Sequence, residues 1–297
     1  MAVTRTSTGF VSSQYLTQRT TVLSPPTTFD FLVIAGGGAG GTNYFPMSGT
    51  SINYPGAGGG AGGYRTSTGT SGGNAAQESS ISTTVTFGTL YLINVGLGGT
   101  ANGSNGTDSS AFGITSVGGG GGGMCNSGGR SGGSGGGGAG GVVGGSSQVG
   151  GGSGTANQGS SGGYGVNTPG GYIAVCGGGG GAGGAGGNGV LQTSSGAGGA
   201  GLSNTITGSS VTRGGGGGSY TSGGGTTSGG SGGGGAGGVA GTANTGGGGG
   251  GAASGGSGLV VIRHTSGIKQ ARTVNASVTE AGGYIIYTFN QSGSMIW

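Results

Sequence analysis

The sequence predicts an all-β protein with almost no α-helix, in which a small β-sandwich of terminal strands carries a packed slab of extended polyglycine helices. The first observation is composition. Glycine makes up 96 of the 297 residues and only 4% are charged, so an ordinary helical or α/β core would lack side chains to fill it. The second is that short β-type segments repeatedly run straight into glycine runs, and the third is that no stretch shows the apolar period of a helix. The joins lie at Phe31–Ala35, Ile114–Val117, Tyr172–Cys176 and Ser210–Arg213.

The glycine runs differ from those of collagen and of flexible linkers. Collagen needs glycine at every third position with abundant proline, whereas this chain has five prolines and unbroken runs such as Gly118–Gly123. A Gly/Ser linker is nearly devoid of apolar residues, whereas 30% of this chain is hydrophobic. Ordered polyglycine forms an extended threefold helix, and such helices can pack closely side by side because Cα carries only hydrogen. We therefore expect the runs to form a slab; the alternative is a set of fluctuating loops.

A short repeat suggests how the slab is built. The tetrapeptide Gly-Thr-Ala-Asn occurs at Gly99–Asn102, Gly154–Asn157 and Gly241–Asn244. The unequal spacing argues against a regular solenoid. We expect several long hairpin-like excursions from one scaffold, with chance recurrence of a low-complexity string as the alternative.

The chain divides at residue 28 into a polar N-terminal segment (1–28) and a glycine-rich β/polyglycine domain (29–297). The segment ends at Pro25-Pro26, a stiff extended break. Strands are predicted from Phe29, within 81–95, at 259–264 and at 284–289, with 294–297 as a return strand across 290–293. The predicted inward-facing residues of the sandwich are Phe31, Val33, Val85, Leu92, Val260, Ile262, Ile285 and Phe289.

The reactive side chains are too few and too scattered to predict an enzyme. The chain has one histidine, His264, four acidic residues and two cysteines, Cys125 and Cys176, whereas catalysis needs a convergent set. A zinc site of His264, both cysteines and one acid has no supporting spacing, so we expect neither a metal nor a cofactor. The cysteines either form a disulfide or stay as thiols, and we favour thiols. The net charge of +4 comes without a basic stripe, which argues against nucleic-acid binding.

Two hydrophobic boundary segments and the C-terminal sequence resemble those of a known family. Phe29–Gly41 (FDFLVIAGGGAGG) is similar to the opening of the glycine-rich domains of tailed-phage tail-fibre and virion proteins, Gly255–His264 (GGSGLVVIRH) to their closing strand, and Gly282–Trp297 to their terminal hairpin. In composition the chain also resembles the T-even-type tail-fibre tip adhesins, in which polyglycine helices stack in a slab with variable loops at one end. It lacks the larger attachment domain of those adhesins. The resemblance implies a virion protein made in the host cytoplasm, and we find no signal peptide.

Bulky side chains isolated in polar loops are the predicted contact residues, because aromatic groups stack on sugars and anchor interfaces. The strongest candidate is the cluster Tyr44-Phe45-Pro46-Met47, which lies between two glycine runs. The predicted receptor or partner contacts are Tyr44, Phe45, Met47, Tyr54, Tyr64, Tyr164 and Tyr220, with Tyr172 as a further loop aromatic. The predicted attachment residues of the N-terminal segment are Phe10, Val11, Tyr15 and Leu16. For each loop residue the alternative is a cap that covers the open end of the slab.

The leading functional hypothesis is a phage structural protein, a tail-fibre or surface-fibre adhesin whose loops recognise the host envelope. Its expected partners are other virion proteins, a host surface glycan or outer-membrane protein, and further copies of itself, with a trimer favoured. A passive capsid or tail decoration subunit with contacts only inside the virion is the alternative. An ice-binding protein is only a minor alternative, because ice binding needs a regular, flat array of Thr or Ala and the Thr residues of this chain are irregularly spaced.

Overall fold

A computed structural model describes residues 24–47, 50–54, 56–100, 102–141, 147–167, 175–191, 193–220 and 225–297. These residues contain strands, turns and extended segments but no helix, which confirms the all-β prediction. The strands are β1 (Thr28–Ile34), β2 (Asn43–Met47), β3 (Thr50–Tyr54), β4 (Tyr64–Thr66), β5 (Ile81–Ser82), β6 (Leu90–Asn94), β7 (Ser109–Ala111), β8 (Ile114–Ser116), β9 (Gln148–Val149), β10 (Gly165–Val166), β11 (Leu202–Asn204), β12 (Val211–Arg213), β13 (Leu259–Thr265), β14 (Arg272–Ala281) and β15 (Tyr284–Ile296).

The main antiparallel sheet has the order β4-β1-β13-β15-β6-β7-β8, with β14 beside β15 and β5 beside β1. It folds back on itself, because Ser109 Oγ on β7 donates to the Ile34 carbonyl at 2.8 Å and Ser116 Oγ on β8 donates to the Val33 carbonyl at 2.7 Å. The result is a barrel-like sandwich with one apolar core on each side of β1 and β13. The larger core includes Phe31, Tyr287, Phe289, Met295 and Trp297; the smaller includes Leu32, Tyr64, Ile206 and Val261.

Most of the predicted inward-facing residues are buried in the larger core. Leu92 is the exception, and its prediction was wrong: its side chain is 66% exposed because alternation along β6 turns Leu92 outward and Ile93 inward. The predicted return strand at 294–297 was also wrong as a separate element. Strand β15 runs through 290–293 without a turn, and its register with β14 shifts there, because these four residues of β15 lie opposite the single residue Asn275 of β14.

The glycine runs pack as threefold extended segments. Along the central segment 56–63, successive amides donate in turn to three different neighbours, so that every third residue meets the same one. Gly58 and Ala61 donate to 177–180, Gly59 and Gly62 to 246–249, and Gly60 and Gly63 to 117–120. The carbonyls of the same segment accept from three further segments, 35–41, 134–137 and 217–220. This pairing in all directions around the axis is the predicted slab of polyglycine helices.

Glycine is required at these positions by the approach of neighbouring backbones. A Cβ on Gly59 would lie 2.2 Å from the Gly38 carbonyl oxygen, and one on Gly179 would lie 1.9 Å from that of Gly59. The repeated Gly-Thr-Ala-Asn string forms turns between segments: Asn102, Asn157 and Asn244 all have left-handed φ values, of 45°, 61° and 61°. Asn tolerates this region better than most residues, so the repeat has a structural role.

Candidate contact surface at the loop end of the slab

The slab has two ends, one joined to the sheet and one formed by turns. Strand β1 continues directly into the segment 35–41, and the segment 56–63 returns directly into β4, so the β2–β3 hairpin between them lies at the end away from the sheet. Other segments reverse at the same level. Tyr220 N donates to the Gly56 carbonyl at 3.0 Å, and Ala252 N donates to the Gly41 carbonyl at 2.9 Å. We call this end, with its turns, the loop end.

The described turns of the loop end carry exposed aliphatic side chains. They are Met124, Val190, Leu191 and Val239, each between 40% and 55% exposed. Tyr164 and Tyr220 are half-buried at the same end, and the Tyr220 ring lies 3.6 Å from the ideal Cβ position of Gly238. The sequence interpretation selected aromatic residues and Met47 and missed these four residues, although they show the same signal of a bulky residue isolated among glycine and serine.

The β2–β3 hairpin carries the strongest predicted cluster. Its register pairs Asn43 with Tyr54, Tyr44 with Asn53, Phe45 with Ile52 and Met47 with Thr50. Among the described residues the two strands pair only with each other. The backbone therefore places Tyr44, Phe45, Met47 and Tyr54 on one projecting hairpin of the loop end.

A buried asparagine links three separate parts of the chain near this surface. Asn167, only 3% exposed, accepts from Gly141 N at 2.6 Å through Oδ1, and its Nδ2 donates to Asn126 Oδ1 at 2.8 Å and to Ser147 Oγ at 2.9 Å. A buried amide with both of its groups paired fixes its surroundings strongly, because leaving either group unpaired is costly. Asn167 therefore holds Asn126, Gly141 and Ser147 in one arrangement.

The two cysteines flank the same network as thiols, without a disulfide. Burial raises the pKa of Cys125 and raises that of Cys176 to about 12, so both are protonated at neutral pH and poor nucleophiles. His264 lies on β13 in the sheet, apart from them. Within the described ranges no three His, Cys, Asp or Glu residues group in a way that could hold a metal ion.

The charged side chains lie elsewhere. The residues of the loop-end turns include no Lys, Arg, Asp or Glu. Two ion pairs lie on the sheet: Arg263 contacts Asp30 at 3.0 Å, and Arg65 pairs with Glu78. These pairs line two surface clefts of about 380 and 630 Å³, where the opposite charges already satisfy each other. The loop end is therefore an uncharged, partly apolar surface.

Tyr64 does not belong to this surface. It lies on β4, fully buried in the smaller core beside Ile206 and Ala182, and burial raises the pKa of its hydroxyl to about 12. The expectation of an exposed loop residue is corrected, because β4 pairs with β1 and turns this ring inward. Tyr172, Phe10, Val11, Tyr15 and Leu16 lie outside the described residues.

A sheet extended by a lattice of threefold glycine segments, with turns displayed at one end, defines a glycine-rich structural domain. The chain belongs to the glycine-rich domain family, whose model matches residues 13–265. No curated protein and no solved structure matches the chain. Across the described part of the chain there is no helix whose length and apolarity would let it span a bilayer.

Proposed function

We propose that this protein is a structural component of a phage virion, a tail-fibre or surface-fibre adhesin whose loop end contacts the host envelope. The observation that carries the proposal is the loop end itself: exposed aliphatic residues and an aromatic hairpin on an uncharged surface, held by a slab of paired backbone. The phage context rests on the resemblance of the boundary segments Phe29–Gly41 and Gly255–His264 to glycine-rich virion domains.

The slab is suited to presenting the loop-end turns to a partner, because it holds them in a fixed arrangement before binding. Binding then loses little conformational entropy, which favours affinity from a small contact area. Large exposed apolar groups on a soluble protein commonly mark interaction sites. A passive decoration subunit would use the same surface against other virion proteins, so the partner of the loop end separates the two hypotheses.

The absence of charge at the loop end limits the class of partner. Such a surface offers no counter-charge to phosphate or carboxylate groups, so it favours neutral sugars or the apolar loops of an outer-membrane protein. Contacts of this kind respond weakly to ionic strength, because salt screens charges and not apolar contacts.

The test replaces Tyr44, Phe45 and Met47 together with serine in the virion. We expect adsorption to host cells to fall at least tenfold, equivalent to about 1.4 kcal/mol, with particle assembly and thermal stability unchanged. The control replaces Leu97 and Val278, exposed apolar residues that belong neither to the loop-end turns nor to strand β6, with serine and should leave adsorption unchanged. Unchanged adsorption with a lower melting temperature in the hairpin variant would identify the cluster as a structural cap and favour the decoration subunit.

A further inference from the structure

The sheet end carries an apolar face that no described residue covers. It consists of Leu90 and Leu92 on β6, Ile296 on β15 and Val274 on β14, and the exposed Arg272 of β14 lies opposite Ile296 at its margin. The register places Leu90 opposite Ile296, and Ser294 between Leu92 and Val274, and directly opposed residues project to the same side of a sheet. Leu90, Leu92 and Val274 are 57%, 66% and 59% exposed, so this outer face combines several large exposed groups.

The N-terminal segment enters the described part of the chain at the end of the sheet where β15 finishes. Ser24 accepts a hydrogen bond from Lys269 N at 3.2 Å, and the Lys269 carbonyl accepts from Trp297 Nε1 at 3.2 Å. Trp297 directly follows Ile296 of the face. Lys269 Nζ also lies 4.3 Å from the centre of the Phe87 ring, which is 49% exposed at the start of the same edge.

We propose that the segment around Phe10–Leu16 of the same chain docks on the apolar face of Leu90, Leu92, Val274 and Ile296. Residues 1–23 carry their large apolar residues at both ends, Met1, Val3, Val22 and Leu23, and in a central group, Phe10, Val11, Tyr15 and Leu16, which polar residues separate from the ends. These residues lie 8 to 14 positions before Ser24, which an extended chain spans in about 26 to 46 Å. The face is three strands wide, about 10 Å, so the segment has ample reach.

Occupation by the same chain is favoured over occupation by another one. A short tether that starts at the edge of a site gives an effective concentration in the millimolar range, well above that of a free partner. The bond between Ser24 and Lys269 fixes the start of that tether. Docking differs from the expectation that Phe10, Val11, Tyr15 and Leu16 attach the protein to another virion subunit, and it does not depend on the proposed function.

Limited trypsin digestion of the full chain tests the proposal. Arg19 lies between the apolar residues and Ser24 and should be shielded by docking, whereas Arg5 lies outside and serves as the internal reference. Leu92→Ser with Val274→Ser should speed cleavage after Arg19 about tenfold relative to cleavage after Arg5. Phe10→Ser with Tyr15→Ser and Leu16→Ser should do the same. Val190→Ser with Val239→Ser, equally exposed valines at the loop end, is the matched control and should change neither rate.

Three results would overturn docking within one chain. The face is empty if Arg19 is cleaved equally fast in the unaltered protein and in the face variant, provided that thermal melting shows both proteins to be folded. Protection that rises with protein concentration, together with an oligomer that the face variant loses in light scattering, assigns the segment to a neighbouring copy. Protection found only in assembled particles assigns it to another virion protein.

Discussion

The close packing of the slab is tested by placing a side chain where the lattice leaves no room. Gly179 donates to the Gly217 carbonyl at 2.8 Å and accepts from Gly199 N at 2.9 Å. A Cβ at this position would lie 1.9 Å from the Gly59 carbonyl oxygen and 2.4 Å from its carbon. Because both atoms belong to the backbone, no side-chain rotation relieves the clash in Gly179→Val, and the central segment must move by about 1 Å.

The cost follows from what that movement breaks. Gly59 donates to Gly249 at 2.9 Å and accepts from Gly217 at 2.8 Å, so a shift of about 1 Å lengthens both bonds beyond hydrogen-bonding range. Two lost bonds at about 1 kcal/mol each and overpacking of about 1–3 kcal/mol give about 3–5 kcal/mol. At about 2–4 °C per kcal/mol for a chain of this size, the melting temperature should fall by about 6–20 °C.

Fluorescence of Trp297 reports the transition, since it is the single tryptophan and lies in the larger core. The matched control is Gly150→Val, because an ideal Cβ on Gly150 meets nothing within 4 Å; its melting temperature should stay within about 2 °C of the unaltered protein. If Gly179→Val also stays within that range, the segments are not packed as closely as the lattice requires and the argument fails.

Two further predictions concern the slab and the sheet. Amides of Gly118–Gly123, Gly177–Gly181 and Gly246–Gly251 should show protection from hydrogen exchange, because they donate to neighbouring segments or to side-chain oxygens; exchange at the rate of the exposed turn at Gly282-Gly283 would contradict the slab. Stability should fall as the pH drops below about 6.5, because burial lowers the pKa of His264, so the unfolded chain takes up the proton more readily than the folded one. In the tautomer that satisfies both contacts, His264 Nε2 accepts from the Tyr287 hydroxyl at 3.0 Å and Nδ1 donates to the Thr265 carbonyl at 2.9 Å. Melting curves between pH 7.5 and 5 should show this loss in the unaltered protein and a weaker one in His264→Gln; equal slopes would assign the effect to other groups.

The sequence predicted those elements whose residue types alone show whether they are buried or exposed. Strands β1 and β13 are continuous apolar runs, and the glycine runs exclude every core that depends on side chains. Strand β14 was missed because it is an edge strand with mostly polar residues, and the register shift at Asn275 depends on β15, which has four residues opposite it. Tyr64 was misplaced because an aromatic residue among glycines looks the same in a loop and on a short strand; only pairing with β1 distinguishes the two.

The loop-end surface shows a similar division. Tyr164 and Tyr220 could be placed from their glycine-rich surroundings, whereas Asn167 could not. Its burial depends on Asn126 and Ser147, which are distant in sequence and become neighbours only when the segments pack. Pairing between segments is set by backbone groups that every residue shares, so local sequence carries little information about which segments become neighbours.

The few side chains inside the slab carry that information instead. Ala57, Ala139 and Cys176 lie on three different segments and meet in one small buried cluster, while the adjacent Gly58 would place a Cβ 2.0 Å from the Gly217 carbonyl oxygen. A lattice of pure glycine would allow segments to slide by one threefold repeat at little cost, because all its residues are equivalent. An alanine that fits only where other small side chains leave room removes that freedom. The register of the slab, and with it the arrangement of the turns at the loop end, is therefore set by the positions at which glycine is replaced.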